Sequence, residues 1–211
     1  TGETDIAAND VIGTINFQAP DEGTGTDAIL VAAGIEAVSE GDFSSSSNAT
    51  KLSFKTGSSE TATEKMSIAS TGATTITVSD NSDTLTLVST DADANVGPVL
   101  NLFRDSASPA DNDLLGRIVF KGDDDAGNAA TFARIEATAT DVSNGGEDGR
   151  LDFFTAKDDA FNADLSLLGN KVGINTTSPD AQLVIARSSG SSDIAKINLD
   201  SDSIDFFTAG K

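Results

Sequence analysis

The chain has 211 residues and a formal net charge of −21, from 34 acidic and 13 basic side chains. It has no Cys, His, Trp or Tyr, which excludes a disulfide framework, a zinc ribbon, a thiol nucleophile and a Ser-His-Asp relay. The charge argues against nucleic acid, because neutralising phosphates needs clustered Lys and Arg; the first 50 residues hold nine Asp or Glu and no basic residue.

The apolar fraction, 37%, lies below the roughly 45–50% of ordinary globular chains. The longest apolar run, residues 28–33, is too short to cross a bilayer. From the N-terminus onward, apolar residues come as pairs separated by one polar or small residue. Ile15 and Phe17, Ile35 and Ala37, Leu52 and Phe54, Met66 and Ile68, Ile76 and Val78, and Leu85 and Leu87 form the first set. Leu100 and Leu102, Ile118 and Phe120, Leu151 and Phe153, Leu165 and Leu167, Val172 and Ile174, and Leu183 and Ile185 continue it. Ile197 and Leu199, then Ile204 and Phe206, close it. This period of two predicts strands with one buried face, joined by Gly-, Ser-, Asn- and Asp-rich turns. Residues 31–39 admit a helical reading, but the stretch is short and Gly34 interrupts it. The predicted class is all-β: short antiparallel strands and β-hairpins in tandem, elongated as a fibre.

Each such strand offers two or three inward side chains. At about 1.5–3 kcal/mol per buried large side chain, one strand cannot offset its own ordering entropy. The apolar pairs must be pooled by stacking repeats or by winding chains together.

The chain repeats itself. Asn9-Asp10-Val11-Ile12-Gly13-Thr14-Ile15-Asn16-Phe17 matches Asn112-Asp113-Leu114-Leu115-Gly116-Arg117-Ile118-Val119-Phe120. Ile35-Glu36-Ala37 matches Ile135-Glu136-Ala137, Lys51-Leu52-Ser53-Phe54 matches Arg150-Leu151-Asp152-Phe153, and Met66-Ser67-Ile68 matches Leu165-Ser166-Leu167. The offsets are 103, 100, 99 and 99. A third copy starts at Ile204-Asp205-Phe206-Phe207-Thr208-Ala209, which repeats Leu151-Asp152-Phe153-Phe154-Thr155-Ala156. This predicts a first repeat over 1–103, a second over 104–200 and the start of a third over 201–211. Such periodicity marks an array or fibre, and a chain that starts at Thr1 and ends inside a strand motif reads as a piece of a longer one.

The stretch Lys171-Val172-Gly173-Ile174-Asn175-Thr176-Thr177-Ser178-Pro179, followed by Leu183-Val184-Ile185, resembles a motif of phage tail fibres. In those fibres a Val-Gly-Ile-Gly-Thr-Thr-Ser-Pro-like turn leads into a short apolar strand. Residues 112–120 and 150–156 also resemble shaft repeats of such fibres, particularly those of marine phages. The resemblance implies a homotrimeric β-structured rod, a β-prism or β-helix-like winding, that carries a receptor-binding tip. The motif often precedes a C-terminal self-cleaving chaperone domain; here another repeat follows instead.

Little else carries chemistry. Asp91-Ala92-Asp93-Ala94-Asn95 has the alternating oxygens of a calcium loop, but Val96 and Leu102 stand where an EF-hand needs Gly and Glu. Asp123-Asp124-Asp125, before Gly127 and Asn128, form a second oxygen-rich turn. Solvated turns explain both, since Asp and Asn favour turns for backbone reasons; calcium at Asp91, Asp93 and Asn95, or at Asp123 and Asp125, is the secondary reading. Glu40, Asp42, Glu147 and Asp148 fall in corresponding loops, yet no Trp or Tyr is there to stack a sugar beside paired carboxylates. Asn48 and Asn175 fit glycosylation sequons, which arise by chance in Ser/Thr-rich sequence. No catalytic residue, cofactor or metal site is assigned.

The reading is a structural, non-enzymatic shaft of a phage tail fibre or related virion appendage, extracellular, stiff and acidic. Its partners are its own copies, the rest of the same fibre and, through a tip outside this segment, a host receptor. Neither nucleic acid nor membrane insertion is expected. A bacterial extracellular filament or adhesin, or a carbohydrate-binding tailspike segment, is the alternative. The repeat also predicts a strand register. Residues 33–38 and 50–54 should pair antiparallel with Ile35 opposite Leu52, Glu36 opposite Lys51 and Ala33 opposite Phe54. The second copy should set Ile135 opposite Leu151, Glu136 opposite Arg150 and Ala133 opposite Phe153.

Overall fold

The structure, a computed structural model, describes residues 5–19 and 25–186. Among them every regular element is a strand, so the fold is all-β. The chain divides into two units, Thr1–Val99 and Leu100–Lys211. The first holds a five-stranded antiparallel meander: β1 (Val11–Gln18), β2 (Val31–Ser39), β3 (Thr50–Thr56), β4 (Thr63–Ile68) and β5 (Thr74–Ile76), neighbours in sequence order. The second holds β6 (Asp113–Asp123), β7 (Ala129–Asp141), β8 (Asp148–Lys157), β9 (Ala160–Leu168), β10 (Lys171–Ile174) and β11 (Leu183–Ile185). Here too the order follows the sequence, but β11 joins β10 in parallel. The stretch 31–39 is strand β2, so Gly34 sits in a strand, not in a broken helix.

The Asn-Asp pairs that open both matched blocks make the same turn. Asn9 and Asn112 are left-handed, at φ 71° and 68°, a conformation Asn tolerates. Their amides donate to Ser39 and Ala139 carbonyls, and Asp10 and Asp113 carboxylates accept from the Ala7 and Ala110 amides. Entry into β1 and β6 is thus fixed by side-chain-to-backbone bonds that compete well outside regular structure.

Register aligns the large apolar residues in rows. In the first sheet Ile15, Ile35, Phe54, Met66 and Ile76 stand opposite one another across all five strands. In the second, Ile118, Ile135, Phe153, Leu165, Ile174 and Ile185 do so across six. A parallel row pairs Gly13, Ala37, Leu52 and Ile68, and likewise Gly116, Ala137, Leu151, Leu167, Val172 and Leu183.

These rows correct the predicted register by two residues. The β2–β3 and β7–β8 hairpins are antiparallel, but Ile35 faces Phe54 and Ile135 faces Phe153, while Leu52 and Leu151 face Ala37 and Ala137. Ala33 and Ala133 oppose Thr56 and Thr155. A two-residue slip leaves every side chain on its expected face, so faces alone cannot distinguish the registers. In the observed register the β2–β3 hairpin closes with Ser39 opposite Thr50 and the Glu40 amide donating to the Ala49 carbonyl (2.9 Å). The predicted ion pairs change with it. Glu36 binds Lys55 (2.8 Å) and Lys51 binds Glu64 on β4 (2.8 Å). Glu136 is met by Arg117, directly opposite on β6, and Arg150 binds Asp152 on its own strand (2.8 Å).

Residues 201–211, read above as a third repeat start, and the pairs Ile197 and Leu199, Ile204 and Phe206 lie outside the described residues. Among the described residues no helix is long and apolar enough to cross a membrane.

Candidate functional site

Period-two strands give each sheet an apolar and a polar face, and burial on them is inverted relative to a globular domain. Ile15, Phe17, Ile118 and Phe120 lie on the apolar faces and are 59%, 54%, 45% and 52% exposed. Leu52 is exposed too; Phe54, Leu151 and Phe153 are half-buried. The buried apolar residues among those described are Val38, Ala62, Ala139 and Ala163, only one of them larger than alanine. Each apolar face also carries a shallow dent where small residues stand in a row of large ones. Gly13, Thr14, Ile15, Ile35, Ala37 and Leu52 line about 380 Å³ in the first unit. Gly116, Arg117, Ile118, Ile135, Ala137 and Leu151 line about 200 Å³ in the second, where Leu102 projects into it.

The polar faces carry side-chain hydrogen bonds and ion pairs, although Arg134 Nε, Thr138 Oγ1 and Thr140 Oγ1 are buried on β7 without a hydrogen-bond partner. Asp152 and Ser166, opposite each other on β8 and β9, are 0% exposed. The Asp152 carboxylate accepts from Ser166 Oγ (2.6 Å) and from Arg150 Nε (2.8 Å). Glu136, next in the row, is buried and accepts from Arg117 Nε (2.6 Å), with Arg134 Nε at 3.6 Å. The Arg134 guanidinium stacks 4.3 Å from the Phe154 ring centroid and 4.9 Å from that of Phe161. In the first sheet, a hydrogen bond from Lys51, with lesser ones from Ser53 and Ser67, holds the Glu64 carboxyl below its ordinary pKa. Long charged side chains thus roof the small central residues, and Lys51, Lys55, Arg117 and Arg150 meet Glu64, Glu36, Glu136 and Asp152 in turn. The sequence reading missed this network. Its trace was present in Asp152 and Glu136 sitting at out-of-phase positions between apolar pairs.

The acidic turns are tied to their own backbone. Asp93 and Asn95 amides donate to the Asp91 and Asp93 carboxylates (3.3 and 2.8 Å), and Asn95 Nδ2 donates to Asp93 (2.7 Å). Asp123 ends β6 opposite Ala129. In that loop the hub is Asp124, which lies between the predicted pair Asp123 and Asp125. Its carboxylate accepts from the amides of Ala126 and Asn128 (2.9 and 2.8 Å), and the Asn128 bonds lower its pKa. No group of three or more acidic residues among those described is gathered as a metal site would require. Glu40, Asp42 and Glu147 accept backbone amides from Ser70, Ala8 and Gly145, and Asp148 pairs with Asp141 at the start of β8.

Against known proteins, no family model matches this chain, and no curated protein matches it. Solved structures do. The carboxy-terminal domain of the bacteriophage T5 L-shaped tail fibre is similar with a TM-score of 0.61 at 10% identity, over 97% of this chain and 92% of that one. The same domain with its intramolecular chaperone domain is similar with a TM-score of 0.51 at 9% identity, over 99% of this chain and 64% of that one. The fold is therefore that of a phage tail-fibre domain.

Proposed function

We propose that this chain is a shaft segment of a phage tail fibre or related virion appendage, assembled as a homotrimer whose apolar sheet faces are buried between chains. The observation that carries this reading is the inverted burial: Ile15, Phe17, Ile118 and Phe120 face solvent while Asp152 and Ser166 are sealed. A face of large apolar side chains this extended marks an interface. Copies of the same chain cover it with matching rows and dents, through a closed symmetric arrangement. The fold likeness to the T5 fibre domain supports the same architecture.

In this reading the chain contributes two shaft repeats, 1–103 and 104–200, with 201–211 opening a third. Its work is mechanical: length, stiffness and a negative coat that keeps rods from one another and from anionic cell surfaces. Host attachment belongs to a tip elsewhere in the fibre, and the acidic turns at Asp91, Asp93, Asn95, Asp123 and Asp125 are solvated loops. Gold-labelled antibodies raised against this chain, imaged on intact particles by electron microscopy, test the assignment. Labelling along a fibre is expected; label on the capsid shell, or on no particle, contradicts it.

A further inference from the structure

The two sheets differ at their last strand. In the second unit the chain leaves β10, turns through residues 175–182 and returns as β11, parallel, with Val172 opposite Leu183 and Ile174 opposite Ile185. Val172 N donates to Gln182 O (2.8 Å) and Ala186 N to Ile174 O (2.9 Å). The same spacing occurs in the first unit. Thr74, Ile76, Leu85 and Leu87 stand to one another as Val172, Ile174, Leu183 and Ile185 do, with a loop of equal length at 77–84. Yet residues 85–87 form no strand there. β5 is the sheet's edge, Leu85 is 63% exposed, and among the described residues no backbone–backbone hydrogen bond is made by residues 78–103.

The cause lies in the turn. A Cβ on Gly173 would collide with the Thr176 carbonyl oxygen, and Asn175 is left-handed at φ 58°. Asn175 Nδ2 also donates to Ala186 O (3.2 Å), tying the turn to the end of β11. The counterparts are Thr75 and Thr77. Both are β-branched, which disfavours the left-handed conformation, and neither carries an amide to donate. The crossover that closes β11 onto β10 is therefore shut to the first unit. Among the described residues, an apolar segment outside any sheet and a sheet edge without a neighbour remain in the same chain.

We propose that residues 85–87 of one copy add, in parallel, to the β5 edge of a second copy of this chain, with Thr74 opposite Leu85 and Ile76 opposite Leu87. The inference rests on the homo-oligomeric reading above. Exchange of this kind needs no new sequence, only a segment that cannot close on its own chain. It continues the apolar rows: Leu87 follows Ile76 as Ile185 follows Ile174, and Leu85 follows Thr74 as Leu183 follows Val172. It also covers an edge that would otherwise invite indiscriminate pairing.

The chain has no cysteine, so introduced thiols report cleanly. Thr75→Cys with Thr86→Cys places them directly opposite in the proposed register, within disulfide reach. The full chain is oxidised, then read by native mass and by denaturing non-reducing gel. An oligomer whose chains become covalently linked, while each single variant stays unlinked, is the expected result. A disulfide within one chain overturns the exchange, as does equal linking by the single variants. An oligomer that forms no disulfide overturns the exchange and leaves the oligomeric reading standing. A monomeric native mass overturns both.

Discussion

At the scale of single residues, the strongest commitment is the sealed carboxylate of Asp152, held by Arg150 and Ser166. Removing one partner of a buried charge pair leaves the other uncompensated, which costs on the order of 3 kcal/mol. Asp152→Ala should lower the unfolding free energy read from guanidinium titration by about 3 kcal/mol, seen as a lower midpoint at unchanged slope. Lys51→Ala, at a pair more than a third exposed on the Glu64 side, should cost less than about 1 kcal/mol. Equal effects would contradict the reading of the polar face. Acid acts through carboxylates whose ionised form is hydrogen-bonded. Such bonds hold the pKa values of Glu64, Asp113, Asp124 and Asp141 below the ordinary range, from Lys51, Arg104, Asn128 and Ser143 in turn. Such groups stabilise the fold above the unfolded carboxylate pKa of about 4, and that contribution is lost as pH falls through the lower folded values. Thermal melts should therefore show an unchanged contribution from these groups between pH 7 and 5 and a decline below pH 4. The acidic turns spend their oxygens on backbone amides, so a chelator at constant ionic strength should leave the melting temperature unchanged; a large drop would restore the calcium reading.

At the scale of elements, strand identity and face were legible because both follow from alternation, as Ile15/Phe17 and Leu151/Phe153 illustrate. Register was not. The sequence pairing of Ile35 with Leu52 satisfied charge between Glu36 and Lys51, and the competing pairing with Phe54 keeps the same faces. The structure closes the hairpin with Ser39 opposite Thr50 and Glu36 bound to Lys55, a geometry that alternation of apolar and polar residues does not specify. The polar network was illegible for a related reason: Asp152 meets Ser166 only once β8 and β9 are paired, and Glu136 meets Arg117 only once β6 and β7 are. By contrast, a turn leading from residues 171–174 into the short apolar strand 183–185 was legible in the sequence, and its geometry lies in Gly173 and Asn175. Grafting those two residues into the first unit, as Thr75→Gly with Thr77→Asn, should let residues 85–87 close on their own β5. With Thr74→Cys and Leu85→Cys as reporters, the disulfide should then move from between chains to within one. If it stays between chains, the turn is not what separates the two units.

At the scale of the whole molecule, two quantities oppose each other. The apolar faces favour association, while a charge of −21 on every copy resists it. Exposed charges are screened over about 10 Å at 0.1 M salt, so raising ionic strength from low values should strengthen assembly and raise the melting temperature. An assembly held by surface ion pairs would respond in the opposite direction. Among the described residues the single chain supplies four buried apolar side chains where a self-sufficient domain needs a continuous core. Everything proposed for the fibre depends on copies of the chain providing the rest. Native mass spectrometry of the 211-residue chain tests this most directly. The account predicts three times the 21.5 kDa chain mass, with dissociation and unfolding occurring together. A folded, cooperatively melting monomer at that chain mass would contradict it.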